Sequence, residues 1–318
     1  MISLQKLILG IGAVAFLASC GNSGKSSSKM TASTNASAAE QVYVPPGQHD
    51  EFYAFMSGGF SGQLTVYGLP SGRLFRRIPV FSQDAERGYG YDEETSPMLM
   101  TSEGFVPWDD SHHPELSQTD GVPDGKFIFI NGNNTPRIAK IDLTTFETTE
   151  IIEIPNSGGN HSSPFTTENS EYVVAGTRFS VPVPQRDMPI SEYKGNFKGN
   201  LTFISVEKET GDMELAFQIL VPGFDYDLAH SGKGKSHGWM FFSSYNTEEA
   251  YTKLEATASQ NDKDFIAAVN WKKIEEYVNN VQSCVSLYGG DEIYFGRMVN
   301  NQTHTKVHKI KRGVCSNF

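Results

Sequence analysis

The chain has 318 residues and a formal net charge of −11, with 38% hydrophobic and 12% aromatic residues. This length is enough for one large domain or two small ones. An acidic chain without a prominent basic block is not expected to bind nucleic acid. Glycine and proline are scattered throughout, which together with the aromatic content favours many short strands and turns.

The first twenty residues are predicted to be a targeting segment. Lys6 precedes an apolar run, Leu7–Leu17, that is too short to span a bilayer. Leu17-Ala18-Ser19-Cys20 has the form of a lipoprotein processing site, which predicts a lipidated Cys20; an ordinary secretory signal is the alternative. Residues 21–45 are predicted to be a flexible tether, rich in small and polar residues. The chain is therefore expected in the periplasm or cell envelope, held to the membrane by a lipid anchor only.

A strand–turn–strand unit recurs within residues 46–280, and a proline lies at the end of each unit, where its missing N–H is tolerated. Three or four antiparallel strands repeated about every seventy residues favour an all-β fold of the β-propeller type. A β-sandwich is the rival, but it does not explain the repeated unit. The predicted hairpins join 63–67 to 73–79, 137–142 to 149–155 and 200–206 to 215–222, with further strands at 51–56, 125–130, 170–175, 239–245 and 264–270.

Two histidine motifs are candidates for metal binding, because imidazole is the commonest protein metal ligand. In Asp110-Ser111-His112-His113-Pro114, the proline predicts an extended His113. Adjacent extended side chains point to opposite faces, so they reach two atoms of a cluster more readily than one ion. A polar turn is the alternative interpretation. Gly158-Gly159-Asn160-His161 supplies a third histidine at a similar place in the next repeat, and the three are predicted to converge on the propeller axis.

Other motifs are less informative. Cys284 and Cys315 are the cysteines that remain if Cys20 is lipidated, and the sequence does not decide whether they pair. No cysteine lies between Gly21 and Ser283, which excludes thiolate zinc sites and cysteine nucleophiles there. The segment 232–236 has phosphate-loop character but lacks the first glycine of that motif, so nucleotide binding is not predicted. His230 and His237 flank this segment and are expected to be solvated.

From about Gln48 to about Asn280 the sequence resembles nitrous-oxide reductase. The resemblance is carried jointly by Asp110-Ser111-His112-His113-Pro114, Gly159-Asn160-His161-Ser162 and Ser244-Tyr245-Asn246-Thr247-Glu248. It implies a seven-bladed β-propeller, roughly four blades of which are present here. It also implies a tetranuclear copper–sulfide cluster on the axis, with His112, His113 and His161 as ligands. Asp110 matches an acidic residue that orients a ligand or accepts a hydrogen bond near the substrate.

The resemblance implies a calcium site as well. Tyr245, Glu248 and Asp262 match its side-chain ligands, and Ala256 matches a position that binds through its carbonyl. A solvated acidic helix start at 247–249 is the alternative. The implied reaction is the two-electron reduction of N2O to N2 and water. Electrons would come from a donor such as a c-type cytochrome or cupredoxin, through a dinuclear copper centre in a cupredoxin domain, and the family is homodimeric.

The sequence departs from the family pattern in its last part. The remaining copper histidines and the cupredoxin ligands are not found, and the resemblance ends near Val281. Residues 281–318 are predicted to be a divergent tail or the product of a truncated or frameshifted reading frame. The predicted function is therefore an incomplete nitrous-oxide reductase. A non-catalytic envelope lipoprotein that binds a partner through its propeller, and an inactive gene remnant, are the alternatives.

Overall fold

The structure is a computed structural model that describes residues 36–161, 164–183, 185–192, 196–222, 224–247 and 266–288. The chain divides into two compact units, Met1–Gln48 and His49–Phe318. In the first unit a single-turn helix, α1 (Ala38–Gln41), begins at a capping box. The Ser37 hydroxyl accepts from the Glu40 N–H, and the Glu40 carboxylate accepts from the Ser37 N–H.

The second unit is built almost entirely from antiparallel strands, as the alternating segments and the scattered turn residues predict. Each strand pairs with a neighbour that runs in the opposite direction. The strands are β1 (Phe52–Ser57), β2 (Gln63–Leu69), β3 (Leu74–Pro79), β4 (Met100–Thr101), β5 (Gly104–Phe105), β6 (Ser111–Thr119), β7 (Val122–Gly132), β8 (Arg137–Asp142), β9 (Glu147–Glu153), β10 (Phe165–Thr166), β11 (Tyr172–Gly176), β12 (Val181–Pro182), β13 (Phe197–Val206), β14 (Met213–Pro222), β15 (Phe224–Ser231), β16 (Trp239–Thr247) and β17 (Ile266–Asn270).

These strands form four successive sheets in the described part of the chain, with the short β4–β5 ribbon between the first two. Sheet 1 has the order β1-β2-β3, and sheet 2 has the order β6-β7-β8-β9. Sheet 3 has the order β10-β11-β13, with β12 and β14 both paired to β13, and sheet 4 has the order β15-β16-β17. The predicted hairpins are confirmed as β2–β3, β8–β9 and β13–β14. The sequence did not predict β6, β10 or β15.

The core lies between consecutive sheets, because each strand carries apolar side chains on alternate positions. One cluster joins sheets 1 and 2, a second joins sheets 2 and 3, and a third joins sheets 3 and 4. Residues with no exposed side-chain surface contribute to each, including Val66 with Ile130, Phe129 with Val173, and Phe203 with Met240. This face-to-face succession of antiparallel sheets confirms the expected all-β, propeller-like fold.

A helix not predicted from the sequence, α2 (Trp271–Tyr288), follows sheet 4 directly. Trp271 is 2% exposed and packs edge-on against Tyr172 of sheet 3, with ring centroids 5.5 Å apart. The Tyr172 hydroxyl also donates a hydrogen bond to the Glu275 carboxylate. The start of α2 is therefore part of the core cluster of sheets 3 and 4. Within the described residues, no helix has the length and apolar character needed to cross a membrane.

The turn between β13 and β14 provides a paired test of packing between sheets. Gly211 has φ +72°, and a Cβ there would lie 2.9 Å from the Phe127 ring of sheet 2. Gly72, in the β2–β3 turn, has φ +68° but nothing within 4 Å of a Cβ. At both positions alanine would have to adopt a left-handed backbone conformation, which costs about 1–2 kcal/mol. We expect Gly211→Ala to lower the free energy of unfolding by about 1 kcal/mol more than Gly72→Ala. Urea unfolding of both variants checks this difference, and equal losses would contradict the contact.

Candidate metal centre

Three histidine rings meet at one place in the fold. The ring centroids of His112 and His113 are 5.5 Å apart, and that of His161 lies 5.0 Å from the first and 4.9 Å from the second. His112 and His113 belong to β6 of sheet 2, whereas His161 lies in the turn that precedes β10 of sheet 3. The predicted convergence of the two motifs is therefore observed. We call this group the histidine centre.

The backbone at His113 differs from the expectation. Its φ is +37°, so the residue is in the left-handed region and is not extended. The strand register explains this conformation. His112 pairs with Asn131 and Glu115 pairs with Phe129, so β6 has one residue more than β7 between these pairs. The result is a β-bulge at the His113–Pro114 step, a feature that re-aims side chains near functional sites. The prediction that the two rings point to opposite faces of the strand was wrong for this reason.

A comparison of two variants measures the strain at His113. Both His113→Gly and His113→Ala remove the ring, but only glycine adopts a positive φ without a steric penalty. We expect the glycine variant to unfold with a free energy about 1 kcal/mol higher than that of the alanine variant. Chemical denaturation of the two proteins under identical conditions gives this difference. An alanine variant as stable as the glycine variant would rule out a left-handed backbone at this position.

Asp110 lies behind the His112 ring. Its side chain is 5% exposed, and its Oδ1 is 3.1 Å from His112 Nδ1. The alignment of these two atoms falls short of a hydrogen bond, and neither has another hydrogen-bond partner among the described residues. The other oxygen, Oδ2, accepts from the Asn133 side chain at 3.3 Å. A carboxylate in this place favours a proton on Nδ1, which leaves Nε2 of His112 as the nitrogen available to a metal.

Asp109, which was not predicted from the sequence, holds this part of the site in place. Its side chain is completely buried. It accepts hydrogen bonds from the backbone N–H of Asp110 at 2.7 Å, of Asn134 at 3.0 Å and of Thr135 at 3.0 Å. The guanidinium of Arg137, also completely buried, lies 3.7 Å away. Asp109 therefore ties the start of β6 to the β7–β8 turn, directly beside Asp110.

The turn that carries His161 is fastened to sheet 3 by its backbone. The Gly158 N–H donates to Phe179 O at 2.9 Å, and the Arg178 N–H donates to Gly159 O at 2.9 Å. Glycine is required at position 158 because the backbone of sheet 3 lies so close that a Cβ on Gly158 would be 2.9 Å from Phe179 O. Asn160 is fully buried, and with its amide nitrogen directed inward it donates to Ser157 Oγ at 2.8 Å and to Gly176 O at 3.3 Å.

The spacing of the three rings is compatible with metal ligation. Within the described residues, no group of three or more His, Cys, Asp or Glu side chains is arranged to hold one metal ion. The three ring centroids are about 5 Å apart, a spacing that serves imidazoles bound to one ion as well as imidazoles bound to neighbouring atoms of a cluster. The buried Nδ1 of His112, which faces Asp110 and no other described partner, is consistent with a ring oriented for ligation.

A partly buried carboxyl follows the histidine pair on β6. Burial raises the pKa of Glu115 above its usual range, against the opposing effect of a hydrogen bond from the Gln118 amide at 2.9 Å. A cavity of about 270 Å³ adjoins this residue. Its lining residues are Tyr53, Phe55, Pro114, Glu115, Leu116, Gln118, Pro123 and Ile128. Neither Glu115 nor the cavity was predicted from the sequence, because Glu115 stands among polar residues that resemble a solvated strand.

His237 was expected to be solvated and is not. Its side chain is 18% exposed, with Nδ1 2.9 Å from Glu168 and Nε2 3.1 Å from Glu171. The ring packs edge-on against Trp271, so it ties the β15–β16 turn to sheet 3 and to α2. His230 is exposed, as expected. The 232–236 segment joins two strands through a short 3-10 turn, Gly234–Ser236, and does not open a helix as a phosphate loop does.

Several predicted site residues lie outside what the structure describes. Tyr245 is in β16, but its side chain is not described. Glu248, Ala256 and Asp262 lie outside the described residues, so the predicted calcium site stays a prediction. The same holds for lipidation of Cys20. The structure does not bear on the pairing of Cys284 with Cys315, which the sequence left undecided, since the side chain of the first and the whole of the second are not described.

The fold and the histidine centre together define an all-β, propeller-like protein with a candidate metal site. No family model matches the chain. Three curated relatives are nitrous-oxide reductases: that of Pseudomonas fluorescens is 32% identical over 280 residues, that of Stutzerimonas stutzeri 30% over 240, and that of Cupriavidus necator 31% over 280. The chain is thus a relative of the nitrous-oxide reductases.

The similarity spans most of this chain but less than half of each relative. It covers 85%, 75% and 81% of the chain, and 42%, 36% and 42% of the P. fluorescens, S. stutzeri and C. necator proteins. Among solved structures, Kuenenia stuttgartiensis hydrazine synthase is similar with a TM-score of 0.30 and 11% identity, over 65% of this chain and 66% of that one. A similarity this weak indicates neither fold nor function.

Proposed function

We propose that this chain supplies part of the copper–sulfide cluster site of a nitrous-oxide reductase, the catalyst of N2O + 2 e⁻ + 2 H⁺ → N2 + H2O. The observation that carries the proposal is the histidine centre, in which rings from two separate motifs lie within 5.5 Å of one another. The relationship to nitrous-oxide reductases supplies the reaction. Neither motif alone would indicate this chemistry.

In this proposal His112, His113 and His161 hold copper through ring nitrogens. The cluster, when bound, supplies the electrons and the Lewis acid for reduction of N2O. The contribution of the chain is placement. Asp110 keeps the proton of His112 on Nδ1, and the hydrogen bond from the Asn133 side chain keeps that carboxylate from turning away. The His113 bulge turns the second ring toward the first, so that both serve one site.

The wider assignments belong to the same proposal. Calcium would be held by Tyr245, Glu248, Asp262 and the Ala256 carbonyl. A lipid on Cys20 would hold the protein at the periplasmic side of the membrane, where a c-type cytochrome or cupredoxin serves as electron donor. The further copper ligands, the dinuclear copper centre and the second subunit of a homodimer would complete the enzyme, of which this chain spans about two fifths.

The proposal is tested by the metal content of the full chain. It is expressed in a denitrifying host that assembles copper–sulfide clusters, purified without oxygen, and analysed for copper and acid-labile sulfide per chain. We expect both elements to remain with the protein through gel filtration. A chain that folds but carries neither copper nor sulfide would reject the cluster site. The envelope binding module would then be the better description.

A second measurement addresses catalysis. Reduced methyl viologen is mixed with the copper-loaded chain under N2O, and the N2O-dependent oxidation of the dye is followed together with the N2 formed. In the proposal, further residues of the intact enzyme complete the site. We therefore expect this chain by itself to bind copper but not to turn over N2O. Turnover by the chain alone would show instead that these three histidines and Asp110 suffice, and would overturn the need for further ligands.

A further inference from the structure

Asn131 connects the two halves of the histidine centre. It lies on β7, directly opposite His112 in the β6–β7 ladder, and it is completely buried. Its amide Nδ2 donates a hydrogen bond to the backbone carbonyl of Asn160, the residue that precedes His161. The strand that pairs with one histidine thus holds the residue next to another, across the boundary between sheets 2 and 3.

Other anchors of the His161 turn attach it to sheet 3. The backbone bonds of Gly158 and Gly159, and the Asn160 side chain, attach the turn to the Gly176–Phe179 segment of sheet 3. Those bonds fix the turn within sheet 3 but do not set its distance from β6. A hydrogen bond from a residue on β7 does set the distance of the turn from β6, because the β7 backbone is paired on both sides, to β6 and to β8.

We propose that Asn131 is a positioning residue of the histidine centre, whose amide sets the separation of His161 from His112 and His113. The inference deepens the proposed copper site and rests on it for its functional meaning. The hydrogen bond from Asn131 to the Asn160 carbonyl is itself a feature of the metal-free protein. Asn131 is suited to this task because its short side chain has few rotamers and is fully enclosed, so the donor cannot follow a displaced turn.

The variants are chosen to remove the donor with little change in shape. Asn131→Asp keeps the size of the side chain but cannot donate when ionised, and Asn131→Leu is nearly isosteric and has no polar atoms. The matched control is Asn200→Leu. Asn200 is also a fully buried strand asparagine, and its Nδ2 donates to the carbonyl of Asn156, which lies in the same segment but is not next to a histidine.

The readout is ring proximity in the metal-free chain, measured by NMR on protein labelled at the histidine ring carbons. Nuclear Overhauser effects between His161 and the other two rings are assigned by single His→Gln variants. We expect these effects in the parent protein and in Asn200→Leu, and a loss of at least about half their intensity in both Asn131 variants. Undiminished effects in either folded Asn131 variant would overturn the proposal, so the failure of one variant to fold leaves the other as the test.

A copper titration separates this inference from the proposed function. With Cu(I) supplied from a competing chelator, we expect Asn131→Asp to bind about 10- to 100-fold more weakly than Asn200→Leu, the range typical of lost outer-shell partners. Weak binding by the parent chain would count against the copper site, while the ring contacts would still decide the role of Asn131. If the parent chain binds copper tightly, equal affinities in the two variants would contradict that role directly.

Discussion

Replacement of His161 by alanine is expected to lower the copper that the purified chain retains by at least about tenfold. His161 is the ring that comes from the second motif, 5.0 Å from His112 and 4.9 Å from His113. Without it, the candidate ligands in the described part of the centre all come from adjacent positions of one bulged strand. Two such rings do not enclose a cluster.

The matched control for this variant is His49→Ala. His49 is an exposed histidine, so its loss removes an imidazole but no part of the histidine centre. Both proteins are expressed with the cluster-assembly machinery and analysed for copper by mass spectrometry, with circular dichroism to show that both are folded. Copper retention by His161→Ala equal to that of His49→Ala would mean that the bound copper is held elsewhere.

Replacement of Asp109 by alanine is expected to lower the free energy of unfolding by about 3–5 kcal/mol. The side chain is completely buried and accepts hydrogen bonds from three backbone N–H groups. Its removal also leaves the Arg137 guanidinium, which has no exposed surface, without its nearest carboxylate. Burial already lowers the pKa of Arg137, and the charge of Asp109 opposes that effect. The unpaired cation accounts for most of the expected loss.

Two further variants test how much of this loss of stability comes from leaving a buried charge unpaired. Glu86→Ala breaks an exposed ion pair with Arg77, where the side chains are 82% and 51% exposed, and is expected to cost less than about 1 kcal/mol. Asp109→Ala combined with Arg137→Met removes both buried charges and is expected to be more stable than Asp109→Ala alone. Guanidinium unfolding curves give all of these values. A double variant no more stable than the single variant would show that the lost backbone hydrogen bonds dominate.

The repeated sheets were largely predictable because they rest on local signals. Period-two alternation and turn glycines or prolines place a strand without knowledge of its partners. The helix α2 was missed although a local signal exists. Trp271, Ile274 and Val278 follow the i, i+3, i+7 spacing of one helix face, and the first and last of them are buried.

The centre was predictable in part. Its histidines lie at similar positions in successive repeats, and equivalent positions of neighbouring repeats lie close together in the folded chain. The residues that fix the centre carry no such signal. Asp109 and Asn131 are common residue types whose partners lie 25 and 29 residues away, and His237 reaches carboxylates of another sheet. Such contacts depend on how sheets pack, which a single sequence does not specify.

The bulge at His113 also changes the face of the sheet to which the first side chains of β6 point. In a regular strand, residues an even number of positions apart share a face, so His112 would side with Leu116, which packs toward sheet 1. The extra residue instead puts His112 on the same face as Glu115, opposite Asn131 and Phe129. Phe129 belongs to the cluster shared with sheet 3. One additional residue therefore turns the first half of the strand toward His161, and deletion of a single residue there would turn it back.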